Sequence, residues 1–375
     1  MLRKQYQNIL QDLKKKMVLL AGPRQVGKTW LAKEICKEFQ HAIYLNYDNL
    51  SDRKIIKQAN WLEKTDLIVL DELHKMPKWK NYLKGIYDAK PKHLHLLVTG
   101  SARIDIMRRV GDSLAGRYFM HHLLPFSPAE LSDSHSHFAT DLDRLMVRGG
   151  FPEPFLADSD IDAKRWRQQY IDSILRTDIF DLNNVQNLRA IQLVFELLRG
   201  RVGSPISYTS IAEDAGIAPN TVKKYISLFE ALFIIFRVTP YARNIARSLA
   251  KEPKIYFFDT GLVNGDDGVK FENLIALCLL KHVYAKNDYL GENWVLHCLR
   301  TKDGREVDFA LAKDNKIDNI IEAKISDGEP SKALIWFQEK YKFPATQVVK
   351  ELRHEHKVRN VSIIRASTFL QELYL

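Results

Sequence analysis

The sequence predicts an α/β protein that begins with a mostly parallel sheet. Four short apolar runs indicate buried strands: Met17–Ala21, Ala42–Leu45, Leu67–Leu70 and Leu94–Val98. Helical patterns separate these runs, and strands that alternate with helices favour a parallel sheet. After about residue 125 the pattern becomes helical, and the last third of the chain returns to mixed helix and strand.

Composition places the chain among folded proteins with several domains. A length of 375 residues exceeds one ordinary domain. An apolar share of 46% and a charged share of 27% exclude wholesale disorder. The excess of 56 Lys and Arg over 46 Asp and Glu gives a net charge of +10, which favours a polyanionic partner such as nucleic acid.

Cysteine content and hydropathy exclude further classes. The three cysteines are scattered and form no CxxC pair, so neither a disulfide framework nor a zinc site is indicated. The densest apolar run, Ala231–Phe236, is far shorter than the about 20 residues that a membrane span needs. No apolar signal core follows the N-terminus, and we expect a cytoplasmic protein with no membrane partner.

The clearest motif is the octapeptide Gly22–Thr29, which matches G-x-x-x-x-G-K-[ST] between a predicted strand and a predicted helix. Glycines let backbone N–H groups surround phosphates, and the following helix directs its N-terminal dipole at them. Lys28 can reach the outer phosphates and Thr29 can offer its hydroxyl to Mg²⁺. The predicted cofactor-binding residues are Gly22, Pro23, Arg24, Gln25, Val26, Gly27, Lys28, Thr29 and Trp30.

A second signal is the apolar strand that ends in Asp71 and Glu72. We expect Asp71 to hold Mg²⁺, directly or through water, together with Thr29. We expect Glu72 to polarise the water that attacks the terminal phosphate, which favours hydrolysis over transfer to an acceptor. A solvated strand end is the alternative, but the phosphate-loop motif upstream favours the functional interpretation.

Two further residues are candidates for catalysis. Thr99 ends the fourth predicted strand, where its hydroxyl can orient the water. Arg117, in Ala115-Gly116-Arg117, can act as an arginine finger from a neighbouring subunit. A surface salt bridge is an equally good interpretation of Arg117. Three other arginines compete for the same role: Arg103, Arg108 and Arg109.

Together these motifs resemble a known family. They are similar to the AAA-type P-loop ATPases of bacteria and archaea, and more narrowly to the group whose ATPase core is fused to a C-terminal domain of unknown function. Gly149–Glu153 and Tyr170–Asp178 also match that group. The resemblance spans nearly the whole chain. It implies binding and hydrolysis of ATP with Mg²⁺, but no particular biological task.

A helix-turn-helix is predicted further along the chain. Helices at Tyr208–Ala215 and Thr221–Leu232 flank a glycine-containing turn, and Ile234–Val238 with Lys254–Phe258 can form a wing hairpin. The start of the second helix is where such motifs meet DNA. The predicted DNA-binding residues are Thr221, Lys223, Lys224 and Arg243. A protein-binding module or a plain packing unit remains the alternative.

The last third of the chain carries a set of charged residues on predicted strands. Asp308 lies on one strand, and Glu322 and Lys324 share a face of the next by the period of two. Glu272, on the helix Phe271–His282, can add a ligand. Two carboxylates and a lysine that converge there could bind Mg²⁺ and activate a water against a phosphodiester.

This arrangement resembles the PD-(D/E)XK nuclease superfamily, on Asp308 and Glu322-Ala323-Lys324. The resemblance implies that Glu272, Asp308, Glu322 and Lys324 form a nuclease-like site, with Asp308 and Glu322 as metal ligands. The sequence differs from the superfamily's motif at one position, because Val307 precedes Asp308 where the motif has proline. Solvated charges, or a degenerate fold that binds without cutting, are the alternatives.

These motifs predict four segments and a function. We expect a P-loop ATPase core at 1–125, a helical lid at 126–200, a winged-helix-like domain at 201–260 and a nuclease-like α/β domain at 261–375. The function hypothesis is an ATP-hydrolysing homo-oligomer that acts on DNA or is regulated by it. One alternative is an ATPase switch that acts through protein partners. Another is an ATP-dependent, Mg²⁺-dependent nuclease.

Overall fold

A computed structural model describes most of the chain. The described residues are 3–100, 114–131, 138–178, 187–242, 252–326 and 328–375. The contacts divide the chain into two compact units. The first contains Met1–Leu124 with Ala231–Phe233, and the second contains Pro125–Glu230 with Ile234–Leu375. The three arginines that compete with Arg117 for the finger role lie outside the described residues: Arg103, Arg108 and Arg109.

The first unit is a parallel sheet with helices. Its elements are α1 (Tyr6–Leu13), β1 (Met17–Ala21), α2 (Lys28–Cys36), β2 (Ala42–Asn46), α3 (Leu50–Gln58), β3 (Leu67–Asp71), α4 (Trp79–Ala89), β4 (His95–Gly100) and β5 (Tyr118–His122). The five strands lie in the order β2-β3-β4-β1-β5, and every neighbouring pair is parallel. The predicted α/β fold with a parallel sheet is therefore confirmed.

Burial explains why the inner strands read as continuous apolar runs. All five residues of β1 and all five of β3 are buried, because both faces of a parallel sheet are covered. One face packs Leu19, Leu70 and Val98 into a core with residues of α3 and α4. The carboxyl ends of β1, β3 and β4 meet at one edge of the sheet, where open α/β sheets bind their ligands.

The second unit begins with helices and ends with a mixed sheet. Its helices are α5 (Pro128–Leu131), α6 (Phe138–Arg148), α7 (Pro152–Leu156), α8 (Asp160–Ser173), α9 (Leu188–Arg199), α10 (Tyr208–Ala215), α11 (Pro219–Ala231), α12 (Asp267–Leu290), α13 (Lys332–Tyr341) and α14 (Ala366–Glu372). Its strands are β6 (Ile235–Pro240), β7 (Lys254–Phe257), β8 (Trp294–Arg300), β9 (Glu306–Lys313), β10 (Lys316–Ser326), β11 (Ala345–Glu351), β12 (His356–Val358) and β13 (Val361–Arg365). They lie in the order β12-β13-β11-β10-β9-β8-β6-β7.

The predicted wing hairpin is part of this larger sheet. β6 pairs antiparallel with β7, and its end pairs parallel with β8 through Thr239 and His297. The predicted division at residue 260 therefore runs through one sheet, because β6 and β7 share it with the later strands. The contact boundary after Leu124 lies one residue from the predicted end of the first segment.

None of the helices in the described ranges combines the length and the apolar character that crossing a bilayer requires.

Candidate nucleotide-binding site

The loop that follows β1 has the backbone that its glycines allow. Gly22 has φ +156° and Gly27 has φ +98°, and Gly27 is the N-cap residue that directly precedes α2. A Cβ atom on Gly22 would lie 2.1 Å from the carbonyl oxygen of Leu123. The loop therefore passes so close to the chain after β5 that only glycine fits at this position.

Lys28 is folded back over this loop. Its ammonium donates hydrogen bonds to the carbonyl oxygens of Gly22, at 2.9 Å, and of Pro23, at 2.6 Å. Burial lowers the pKa of Lys28 to about 8, although the nearby charges of Glu72 and Asp71 raise it. A buried cation that carbonyl groups alone hold is well placed for stronger pairing with phosphate oxygens.

Asp71, at the carboxyl end of β3, is surrounded by hydroxyl groups. Thr29 Oγ1 donates to Asp71 Oδ2 at 2.8 Å, and Tyr44 Oη donates to the same oxygen. Thr99 Oγ1 donates to Asp71 Oδ1. The backbone N–H of Glu72 also donates to Oδ1, at 3.0 Å. The structure thus brings together Thr29, Asp71 and Thr99, which the sequence predicted from three separate segments.

Glu72 has an unusual backbone and a carboxylate oxygen that no hydrogen bond satisfies. Its φ is +55°, a left-handed conformation that non-glycine residues adopt mainly where function or packing requires it. Within the described part of the chain, its buried Oε2 has no hydrogen-bond partner; His74 Nε2 lies 3.6 Å away and Lys75 Nζ 3.7 Å. Burial raises the pKa of Glu72, while Lys28 and Lys75 lower it. The carboxylate is available to accept a hydrogen bond from water.

These residues fit a nucleotide with Mg²⁺. The hydroxyl of Thr29 and the carboxylate of Asp71 are oxygen ligands of the kind that Mg²⁺ prefers, and they are in contact. The N-terminus of α2 and the glycine backbone supply N–H groups for phosphates. Lys28 supplies the positive charge beside them.

Sequence reasoning missed two residues of this site. Tyr44 reaches Asp71 from β2, the strand that neighbours β3. Arg3 donates hydrogen bonds to the carbonyl oxygen of Val26, at 3.3 Å, and to that of Leu124, so it holds the loop from behind. Neither residue belongs to a sequence motif. An arginine among the apolar residues of the N-terminal segment was the only signal for Arg3.

Arg117 lies away from the loop of its own chain. It precedes β5, and its carbonyl oxygen accepts from the N–H of Met17, at the start of β1. The loop follows the other end of β1, so a strand length of about 17 Å separates the two positions. The Arg117 guanidinium forms hydrogen bonds of 2.7 Å and 3.1 Å with Asp88.

Three of the four residues that the sequence predicts to bind DNA belong to the described part of the chain, and all three lie near the start of α11. Gly216, with φ +63°, follows the last residue of α10, and Val222 and Ile226 of α11 are buried. Lys223 and Lys224 are exposed and Thr221 is half-buried at the start of α11. Arg243 lies outside the described residues.

The predicted nuclease-like residues lie on neighbouring elements. Asp308 on β9 accepts from the N–H of Ala323 on β10 at 3.2 Å. Glu322 is buried and pairs with the exposed Lys324 at 2.9 Å. Glu272 lies on α12, and burial together with the charge of Asp308 raises its pKa to about 7. In the residues that the structure describes, no three Asp, Glu, His or Cys side chains converge closely enough to hold a metal ion.

Comparisons with known sequences match two segments. Residues 14–132 match a family described as "AAA domain", and residues 139–270 match one described as "Domain of unknown function (DUF8612)". "Uncharacterized protein Rv2008c" of Mycobacterium tuberculosis is 28% identical over 283 residues, which cover 74% of this chain and 60% of that protein. The chain thus spans 60% of that relative's length. An uncharacterized protein of Haemophilus influenzae is 23% identical over 334 residues, which cover 80% of each chain.

Among solved structures, the Walker-type ATPase PABY2304 of Pyrococcus abyssi is similar, with a TM-score of 0.46 and 11% identity. The match covers 69% of this chain and 93% of that one. The family match and the parallel sheet agree on the first unit. Residues 14–132 are thus similar to the family described as "AAA domain", and they contain the parallel sheet of the first unit.

Proposed function

We propose that this chain is an ATP hydrolase whose activity is coupled to DNA. The observation that carries the first part is the contact of Thr29 with Asp71, beside a Glu72 carboxylate whose buried Oε2 accepts no hydrogen bond from the residues that the structure describes. This arrangement supplies a metal-binding pair and a water-orienting base at the end of a phosphate-binding loop.

Each residue of the site has one task in this proposal. The Lys28 ammonium leaves the carbonyl oxygens of Gly22 and Pro23 and pairs with phosphate oxygens. Thr29 and Asp71 hold Mg²⁺, which when bound neutralises negative charge on the phosphates. Glu72 accepts a hydrogen bond from the attacking water and orients it. Thr99 fixes the Asp71 carboxylate through Oδ1, and we retain the prediction that its hydroxyl also orients the water.

Surface chemistry on the second unit supports the proposal of DNA as the partner. The helix α11 begins with the exposed Lys223 and Lys224, in the position that recognition helices use for phosphates and base edges. The net charge of +10 favours a polyanion. The preferred DNA structure, whether duplex or branched, is left to the experiment below.

The position of Arg117 supports a homo-oligomer. An arginine at the opposite end of β1 cannot reach the phosphates of its own subunit, so it would act only on a neighbouring one. The pair with Asp88 would then open on assembly.

The test is ATP turnover measured with and without single-stranded, duplex and four-way-junction DNA. We expect one of these DNAs to stimulate turnover and Glu72→Gln to abolish the stimulated rate. The preferred DNA then identifies the structure on which the protein acts. Turnover that no DNA changes, together with no DNA binding at low salt, would contradict the coupling and favour a switch that acts through protein partners.

A further inference from the structure

A buried lysine lies among the carboxylates of the second unit. Lys254, the first residue of β7, has a side chain that is only 2% exposed. Its ammonium lies 2.7 Å from Glu306 Oε1, 3.3 Å from Asp308 Oδ1 and 3.5 Å from Glu272 Oε1. One ammonium thus serves three carboxylates that come from β9 and α12.

Further donors contact this cluster. Asp308 Oδ2 accepts from the N–H of Ala323, and Glu272 Oε1 accepts from Tyr256 Oη at 2.7 Å. The neighbouring Glu322 has its own cation, Lys324, and accepts from Ser331 Oγ. Protein donors therefore contact each of the three carboxylates that the nuclease resemblance assigns to this site.

This donor set does not fit a divalent metal. Mg²⁺ requires near-octahedral oxygens at about 2.0 to 2.1 Å and retains several waters. The buried ammonium of Lys254 lies between Asp308 and Glu272, in the position from which a metal ion would contact their oxygens. Its positive charge also repels a divalent cation. Burial lowers the pKa of Lys254, but the charges of Asp308, Glu272 and Glu306 raise it further, so the pKa lies above its ordinary value and the side chain remains an ammonium.

The backbone around Lys254 holds the ammonium there. β7 pairs with β6, and Lys254 also forms a β-bridge with Pro205. Gly203, with φ +74°, lies so close to Glu272 that a Cβ atom would meet Glu272 Oε1 at 2.8 Å. The β6–β7 hairpin is therefore joined to β9 and α12 through one charge cluster.

We infer that Lys254 is a built-in substitute for a divalent cation: its ammonium offsets part of the negative charge of the Glu272–Glu306–Asp308 cluster, which binds no metal while Lys254 lies there. The cluster then fastens the β6–β7 hairpin to β9 and α12. Metal-dependent phosphodiester hydrolysis at Asp308 is excluded for this arrangement. The inference is independent of the nucleotide site.

Counting of bound Mn²⁺ on the full chain tests this inference. Electron paramagnetic resonance of free Mn²⁺ would be recorded with saturating ADP for the wild type, Asp71→Asn, Asp308→Asn and Lys254→Met. Asp71→Asn marks the ion of the nucleotide site. We expect Asp308→Asn to leave the number of bound ions and their affinity unchanged. We expect Lys254→Met to gain one further site, with an affinity at least about tenfold above any in the wild type outside the nucleotide site, because a buried like charge has been removed.

Two results would overturn the inference. The first is a wild-type Mn²⁺ site that Asp308→Asn removes. The second is a Lys254→Met chain that unfolds cooperatively on heating and yet gains no site. If Lys254→Met does not fold, the comparison of wild type with Asp308→Asn decides the matter alone, because neither protein lacks the lysine.

Discussion

The Tyr44 hydroxyl donates a hydrogen bond to Asp71 Oδ2, the same oxygen that accepts from Thr29. Burial and this hydrogen bond raise the pKa of Tyr44, so the phenol remains a donor at any physiological pH. The ammonium of Lys33 lies 5.2 Å above the centre of the Tyr44 ring and helps to fix it. Tyr44 therefore orients a predicted metal ligand without belonging to the loop.

Removal of the Tyr44 hydroxyl should lower the affinity for Mg²⁺ more than the affinity for nucleotide. In Tyr44→Phe we expect the Mg²⁺ concentration for half-maximal ADP-induced stabilisation to rise about threefold to tenfold, which corresponds to the net contribution of one ordinary hydrogen bond. The affinity for ADP in excess EDTA should stay the same. Thermal unfolding at a series of Mg²⁺ concentrations measures both.

The matched control is Tyr82→Phe. Tyr82 also donates its hydroxyl within the first unit, but to the carbonyl oxygen of Ile56. Its loss should lower the general stability and leave the Mg²⁺ dependence unchanged. Equal Mg²⁺ curves for Tyr44→Phe and wild type would show that Tyr44 does not orient Asp71.

The lowered pKa of Lys28 predicts that nucleotide binding takes up a proton. Without nucleotide the pKa is about 8, so at about pH 9 most Lys28 side chains are neutral. Phosphates favour the ammonium, so binding at this pH should take up about one proton and affinity should fall as pH rises through 8. At about pH 7 the lysine is already charged and uptake should be small.

Titration calorimetry in buffers of different ionisation enthalpy measures this proton. The control is Lys33→Met, which removes a nearby lysine outside the loop and should leave the uptake unchanged. Equal uptake at both pH values, or uptake that persists in Lys28→Met, would contradict the assignment to Lys28.

Two glycines of the first unit should respond oppositely to alanine. Gly22→Ala places Cβ against the carbonyl oxygen of Leu123 and should lower the free energy of unfolding by more than about 1 kcal/mol. Gly85 lies within α4, and nothing is within 4 Å of a Cβ placed there. Gly85→Ala should therefore raise that free energy by about 0.5 to 1 kcal/mol. Urea unfolding measures both, and a stable Gly22→Ala chain would contradict the close approach.

The proposed DNA surface predicts a change in salt dependence. If Lys224 contacts a phosphate, Lys224→Ala should weaken binding to all DNA sequences alike and reduce the slope of log affinity against log salt by about 1. Lys316, exposed at the start of β10, is the control, and Lys316→Ala should retain the wild-type slope. Fluorescence anisotropy at several salt concentrations measures the slopes. Identical slopes for both variants would remove α11 from the DNA surface.

Local signals in the sequence predict single elements of both units. β1 and α10 have the predicted bounds. An apolar run and an amphipathic helix that is followed by glycine can each be recognised from a few consecutive residues. Thr29, Asp71 and Thr99 were each predicted as site residues, and they are in contact because the phosphate loop and the ends of β3 and β4 meet at one edge of the sheet.

Contacts that depend on strand order or on distant pairing were not predicted. Tyr44 reaches Asp71 only because β2 is the neighbour of β3, and the sequence does not reveal that order. Lys254 lies 54 positions before Asp308, and in the sequence it is one lysine on a predicted strand. Its contact with Asp308 depends on the pairing of β6 with β8, which the sequence does not reveal. The inward fold of Lys28 onto Gly22 and Pro23 has no sequence signal either.

Release of phosphate from ATP by the wild type and by Glu72→Gln, with nucleotide affinity measured on the same samples, tests the central claim most directly. The account predicts Mg²⁺-dependent hydrolysis by the wild type, and at least about a 100-fold loss of turnover in Glu72→Gln with nearly unchanged affinity. Glu63→Gln, an exposed substitution in the same unit, should keep the wild-type rate. A Glu72→Gln protein that hydrolyses ATP as fast as the wild type would contradict the account.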